Sequence, residues 1–244
     1  MQKEGIVIPN EFTLTSVLKC SFSVSNGLQL GKSIHGWMIT AAVDLDVALD
    51  YEKRFFELMS DKNVVSWNIM LGGYLGTEDM ERSVELFKMM PENDVSSWNT
   101  IIDGLLQRGS ERDALKLLRQ MTLDGPSFNE VTFSISLALM SSLRNLELGR
   151  QIHGKVRRLS TYEDVLVRAS LIDMYCKCCQ MEKASRIFQE LRQGIVEVQH
   201  SHSVLWSTII SGYIHNGMLK DALEVFSSMV RDQVEVCVYT VKHS

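Results

Sequence analysis

Several side chains in this sequence have types and spacings that could do chemistry. Cys176-Lys177-Cys178-Cys179 contains a C-x-x-C, but a metal would need two further ligands in reach. His200 and His202 form an H-x-H in a polar stretch that reads as a solvated loop. His35 and His153 occupy matched places in two similar segments, and recurrence at equivalent positions indicates packing or capping rather than one active site. Zinc-dependent deamination of a base needs H-x-E with P-C-x-x-C, and none of the six histidines is followed by x-Glu. Neither a Gly-rich phosphate loop nor a G-x-S-x-G occurs. The sequence therefore predicts no enzyme, no cofactor and no metal.

The elements behind these residues are helical. Only 3 of 244 residues are proline, none deep in a helical pattern, and 45% are hydrophobic, enough for a sizeable core. The net charge of -5 counts against nucleic acid as a partner unless a local surface supplies the contacts. The five cysteines, Cys20, Cys176, Cys178, Cys179 and Cys237, are odd in number and irregularly spaced, which argues against a disulfide framework and for a reducing compartment. No apolar run reaches the ~18 residues needed to span a membrane. The N-terminus shows neither a signal-peptide nor a transit-peptide pattern.

Self-similarity is the strongest signal. Val64–Met90, Val95–Met121 and Ser203–Met229 align without gaps, and in each a Trp (Trp67, Trp98, Trp206) precedes a Met by 23 residues. Ser83, Ala114 and Ala222 share one offset; Phe87, Leu118 and Phe226 share another. Val165–Leu191 fits the frame through Tyr175, Ala184 and Phe188. A second type pairs Glu11–Gly36 with Glu130–Gly154. Each repeat reads as two helices around a polar turn, the second amphipathic through residues such as Val84, Leu86, Phe87 and Met90. A lone hairpin cannot bury both apolar faces, but stacked hairpins can. The predicted fold is all-α, a right-handed superhelical α-solenoid of helix-turn-helix repeats, with the Trp and Phe positions in the core. It forms one domain over 1–244, with repeats at about 11–46, 47–63 (truncated, its second helix Tyr51–Met59 kept), 64–94, 95–129, 130–164, 165–202 and 203–237.

The segments Ser66–Tyr74 (SWNIMLGGY), Ser97–Gly104 (SWNTIIDG), Ser170–Cys178 (SLIDMYCKC), Glu147–Gly154 (ELGRQIHG), Phe87–Asp94 (FKMMPEND) and Gly212–Met229 resemble pentatricopeptide repeat proteins. The alternation of 31- and 35-residue repeats resembles the plant subclass that mixes long, short and standard repeats. The resemblance implies single-stranded RNA as partner, read at about one base per repeat. It implies that the fifth and last residues of a repeat face the base edge and that the second packs on the base faces. Carried over, Asn68 pairs with Asp94, implying uridine, and Asn99 with Asn129, implying a pyrimidine with a leaning to cytidine. Thr15 with Asp46 and Ser134 with Asp164 occur in the long repeats and in standard repeats would suggest guanosine; the resemblance assigns no base to Ala169 with His202 or to Ser207 with Cys237. Val65, Val131, Leu166 and Val204 take the stacking position, whereas Ser96 departs from it.

The resemblance further implies a role in organellar RNA editing (C-to-U), processing or stability, in mitochondrion or plastid, as a monomer that meets editing-complex proteins and no membrane. Without H-x-E, this chain could supply only target choice to an editing reaction. Two other readings stand beside it: a protein-binding helical scaffold, favoured by the acidic charge, and a nonfunctional remnant, favoured by the truncated repeat 47–63.

Overall fold

A computed structural model describes residues 53, 56, 57, 62–76, 79–194, 199–232 and 234. The repeat 11–46, with Thr15, His35 and Asp46, most of 47–63, and Cys237 lie outside the described residues.

Among the described residues there are ten α-helices and no strand: α1 (Val64–Gly76), α2 (Met80–Met89), α3 (Val95–Gln107), α4 (Glu111–Asp124), α5 (Glu130–Ser142), α6 (Leu146–Val156), α7 (Val165–Lys177), α8 (Met181–Gly194), α9 (Gln199–His215) and α10 (Leu219–Arg231). A short 3₁₀ turn, Ser160–Glu163, precedes α7. They divide into two compact units, one reaching Arg108 and including Leu123–Gly125, the other formed by Gly109–Thr122 and the residues from Pro126 onward.

Local sequence sets the helix boundaries. Each first helix in the repeats at 64, 95, 130 and 165 starts behind an Asn or Asp whose side chain accepts the backbone N–H three residues on: Asn63 from Ser66, Asp94 from Ser97, Asn129 from Thr132 and Asp164 from Val167. Gly109, at φ 71°, takes the left-handed conformation after α3 that a Cβ would oppose. The exception is α9, which starts at Gln199, four residues before the repeat's expected first residue, Ser203. Gln199–His202 carry no apolar periodicity, but nothing in them breaks a helix, so the expected loop around His200 and His202 is helical instead.

In the first unit α1 packs on α2 and on α3. In the second, α7 packs between α5 and α9, so the first helices of three successive repeats lie side by side, with α6, α8 and α10 against their own partners. The small residues Ser83, Ala114, Ala184 and Ala222 are all buried, as close helix approach requires. So are Trp67, Trp98 and Trp206. A contact recurs between repeats: Phe56 meets Trp67, Phe87 meets Trp98 and Phe188 meets Trp206, edge to face at 4.7, 4.8 and 4.8 Å between centroids. Such pairs contribute about 0.5–1.5 kcal/mol beyond the area they bury.

Candidate RNA interface

The second- and fifth-position residues proposed to meet RNA lie along the first helices, which pack side by side within each unit, and the last-position residues Asp94, Asn129 and Asp164 stand just ahead of the next first helix. The second position shows most plainly. Val131 on α5, Leu166 on α7 and Val204 on α9 are 53%, 62% and 44% exposed, three aliphatic side chains left in water at one repeat position of three adjacent helices. Each sits in the first turn of its repeat's helix register, where the core-facing stripe is filled by the third and fourth residues. In the first unit Val65 is half-buried and Ser96 exposed. An exposed aliphatic costs about 25 cal/mol per Å² relative to burial, so a flat apolar ligand laid on this row would recover that energy.

The last position turns out to be structural as well. Asp94 caps α3: its Oδ1 accepts from Ser97 N at 2.8 Å and from Ser97 Oγ at 2.8 Å. The same Oδ1 accepts from Asn68 Nδ2 at 3.3 Å. Partial burial pushes this carboxyl up, but the hydrogen bonds from Ser97 and Asn68 outweigh it and hold Asp94 below the usual aspartate value. Fifth and last residue of the repeat 64–94 are thus joined, and because Asp94 can only accept, the Asn68 amide must present its NH₂ to it. Asn68 Oδ1 is left buried without a hydrogen-bond partner.

Asn129 caps α5 through Thr132 N (2.9 Å) and Thr132 Oγ1 (2.8 Å), and Asn99 is only 7% exposed on α3. Ser134 is half-buried on α5, and no hydrogen bond links it to Asp164 among the described residues. Asp164 caps α7 through Val167 N at 3.0 Å. Ala169, 8% exposed, brings no polar group. Ser207 Oγ donates to Ser203 O at 2.6 Å, in its own helix. His202 lies inside α9, where Asp94, Asn129 and Asp164 each stand ahead of their helix.

Sequence reasoning overlooked the capping role, though the signal was legible. Asn63-x-x-Ser66, Asp94-x-x-Ser97 and Asn129-x-x-Thr132 are capping spacings, and the buried hydroxyls at their ends each return a bond to the cap residue: Ser66 Oγ to Asn63 O (2.7 Å), Ser97 Oγ to Asp94 Oδ1, Thr132 Oγ1 to Asn129 Oδ1. The C-x-x-C is split by its surroundings. Cys176 is buried in α7 and its thiol is pushed up to about 12 by that burial, whereas Cys179 is exposed past the helix end at φ 57°.

Profiles of the PPR repeat match residues 65–95, 169–194 and 204–234, and a profile of the PPR repeat family matches 93–140, together more than half of the chain. The chain belongs to the pentatricopeptide repeat family. This pentatricopeptide repeat chain is 35% identical over 252 residues to the mitochondrial pentatricopeptide repeat-containing protein At3g04750 of Arabidopsis thaliana, an alignment covering 96% of the chain and 37% of that relative. It is 34% identical to the Arabidopsis thaliana protein At1g09190, over 95% of the chain and 49% of the relative. A chloroplastic relative from the same plant, At5g13270, is 41% identical over 107 residues, 44% of the chain and 13% of the relative. The chain thus spans between about a third and a half of the length of the first two of these relatives. Its fold is similar to the crystal structure of the pentatricopeptide repeat protein PPR10 from maize, with a TM-score of 0.56 at 17% identity, over 96% of the chain and 35% of that structure. The all-α solenoid expected from the repeat pattern is therefore the fold of this pentatricopeptide repeat chain.

Proposed function

We propose that this chain binds single-stranded RNA along its first helices, about one base per repeat, and so selects the target of an organellar RNA editing, processing or stability factor of the subclass that mixes long, short and standard repeats. The carrying observation is the joined pair Asn68–Asp94. Fifth and last residue of one repeat share a hydrogen bond, and the exposed Asp94 carboxylate keeps a second oxygen beyond the one that takes Asn68. An acceptor-rich pair suits a base edge with a central N–H donor, as uracil has at N3. The exposed row Val131, Leu166 and Val204 would pack on base faces, a sequence-tolerant contribution of about 1–3 kcal/mol per base for aromatic platforms and less for aliphatic ones. Organelle names among the relatives support mitochondrion or plastid.

The test is selection of a random single-stranded RNA pool on the purified chain at low salt, followed by sequencing. Enrichment of a uridine followed 3′ by a pyrimidine, lost in the Asn68→Ala/Asn99→Ala double variant, is the expected result. No retention by a chain whose circular dichroism is helical would overturn it. A second reading, a helical scaffold for protein partners, is favoured by the net charge of -5 and by Leu219, Leu223, Phe226 and Val230, which leave one face of α10 exposed. Salt separates the two, because RNA binding weakens steeply as ionic strength rises.

A further inference from the structure

At three junctions a phenylalanine of one repeat's second helix meets a tryptophan at the fourth position of the next repeat: Phe56 with Trp67, Phe87 with Trp98, Phe188 with Trp206. Between the repeats 95–129 and 130–164 the same places hold the apolar Leu118 and Phe133. These rings carry no ionisable group. Between the repeats 130–164 and 165–202, both positions are polar. His153 occupies the place within its repeat that Phe87 and Phe188 occupy in theirs, and Arg168 occupies the place of Trp67, Trp98 and Trp206.

Tyr162, from the 3₁₀ turn, joins them. Its ring stacks on the His153 imidazole, with centroids 6.1 Å apart and planes 14° apart. The Arg168 guanidinium lies over the same ring at 4.6 Å and that of Arg157 at 5.7 Å. His153 Nδ1 is 2.8 Å from Tyr175 Oη, and Nε2 is buried without a hydrogen-bond partner. The groups facing the imidazole come from every element around it. Arg157 ends its own helix. Tyr162 lies on the turn. Tyr175 and Arg168 stand on α7, with Arg168 paired to Glu163. Lys183 of α8 lies over the Tyr175 ring at 5.6 Å, and Arg150 of α6 acts on Tyr175 as well. Glu190 of α8, which accepts from Tyr162 Oη at 3.1 Å, is the carboxylate acting on His153 among the described residues.

We propose that this junction is a pH-sensitive hinge between repeats, which opens when His153 takes a proton while the Phe–Trp junctions stay shut. The neutral imidazole needs only one N–H, which Nδ1 can place on Tyr175 Oη, leaving just a lone pair at Nε2. The imidazolium must donate from both nitrogens, and a Nε2–H in this setting has no acceptor among the described residues. Its charge would also face Arg157 and Lys183, with Glu190 opposing. Burial holds His153 below the ordinary histidine value, Arg157 and Lys183 push the same way, and Glu190 pushes back. A histidine depressed in the folded state contributes stability in full above its unfolded value of about 6.5, and loses it as pH falls toward the folded value. The window therefore lies on the acid side of neutrality.

Hydrogen exchange of the whole chain at about pH 8 and about pH 5.5, corrected for intrinsic rates, tests the hinge. Below the unfolded histidine value, the opening of α6, the 3₁₀ turn and α7 should rise by up to about tenfold per pH unit, with no such rise in α1–α3. His153→Phe, which installs the ring of the Phe–Trp junctions, should abolish the rise. His153→Gln, which keeps a partner for Tyr175 and cannot titrate, should abolish it too, and covers the case in which phenylalanine does not fit. A rise that persists in both variants, a loss of protection spread evenly over all helices, or an imidazole resonance of His153 titrating at the ordinary value in the folded chain would overturn the proposal.

Discussion

Asp94 carries two duties that can be pulled apart by choosing the substituent. Replacing it with alanine removes the cap of α3, a loss of about 1 kcal/mol. It also strands the hydroxyl of Ser97, which is fully buried and donates to the same Oδ1, at a further cost of about 1–3 kcal/mol. Asp94→Ala should therefore destabilise the first compact unit by about 2–3 kcal/mol. Asp94→Asn keeps an acceptor of equal capping rank, so its cost should stay within about 0.5 kcal/mol. Urea unfolding followed by tryptophan fluorescence, with Trp67 and Trp98 in this unit, reads the difference as a midpoint shift at constant slope. If the base-reading proposal is right, the same Asp94→Asn chain should bind RNA with a changed preference at one position despite its unchanged stability. An alanine variant that unfolds at the wild-type midpoint would refute the capping argument. An asparagine variant with unaltered RNA selection would refute the reading role. The depressed Asp94 carboxyl adds a pH signature: its contribution is present above the unfolded value near 3.8 and is lost as acid takes the pH down through the folded value, absent in Asp94→Asn.

Three further outcomes are expected. Gly212→Ala should destabilise the second unit by about 1–3 kcal/mol, because the new Cβ would sit 2.2 Å from Cys176 Sγ and 2.8 Å from Cys176 Cβ, which cannot swing away. Gly149→Ala, whose Cβ meets the flexible end of Met174 at 2.5 Å, should cost less; thermal melts of the two variants give the order. Truncating a junction ring, as in Phe188→Ala, should cost about 3–5 kcal/mol by removing a buried side chain that also packs on Trp206, read by denaturant unfolding. Native-state alkylation at about pH 8 should modify Cys179 and spare Cys176, whose thiol is buried and held near 12, with the sites assigned by mass spectrometry.

The hairpin pattern was legible because it depends on spacing within about 30 residues. The Trp-to-Met interval and the shared Ser/Ala and Phe/Leu offsets placed the close-approach positions, the second helices and the buried Trp67, Trp98, Trp206, Phe87, Leu118 and Phe188 where the structure has them, whereas Phe226, expected in the core, is 43% exposed on α10. The expectation that His153 has a packing role also held, since it sits against Tyr162 and Tyr175. The caps before the repeats at 64, 95 and 130 are written in the sequence too, as Asn63, Asp94 and Asn129 each three residues before Ser or Thr, alongside the base-facing role that the resemblance implies for Asp94 and Asn129. One side chain can do both: Oδ1 of Asp94 caps α3 and receives Asn68.

What the sequence determined by itself was the repeat: its helices, its turn and its core stripe, all fixed by backbone propensity and by apolar residues at helical spacing. What only the tertiary structure decided was the environment of chemically identical residues. Asn68 and Asn99 hold the same position in adjacent repeats, yet one is half-buried beside Asp94 and the other nearly closed off. His153 entered a cluster of cations because a 3₁₀ turn and two later helices bring Tyr162, Arg168 and Lys183 to it. The physical reason is common to both cases: burial and local charge are set by neighbours that arrive from elsewhere in the chain, and no spacing within a single repeat records them.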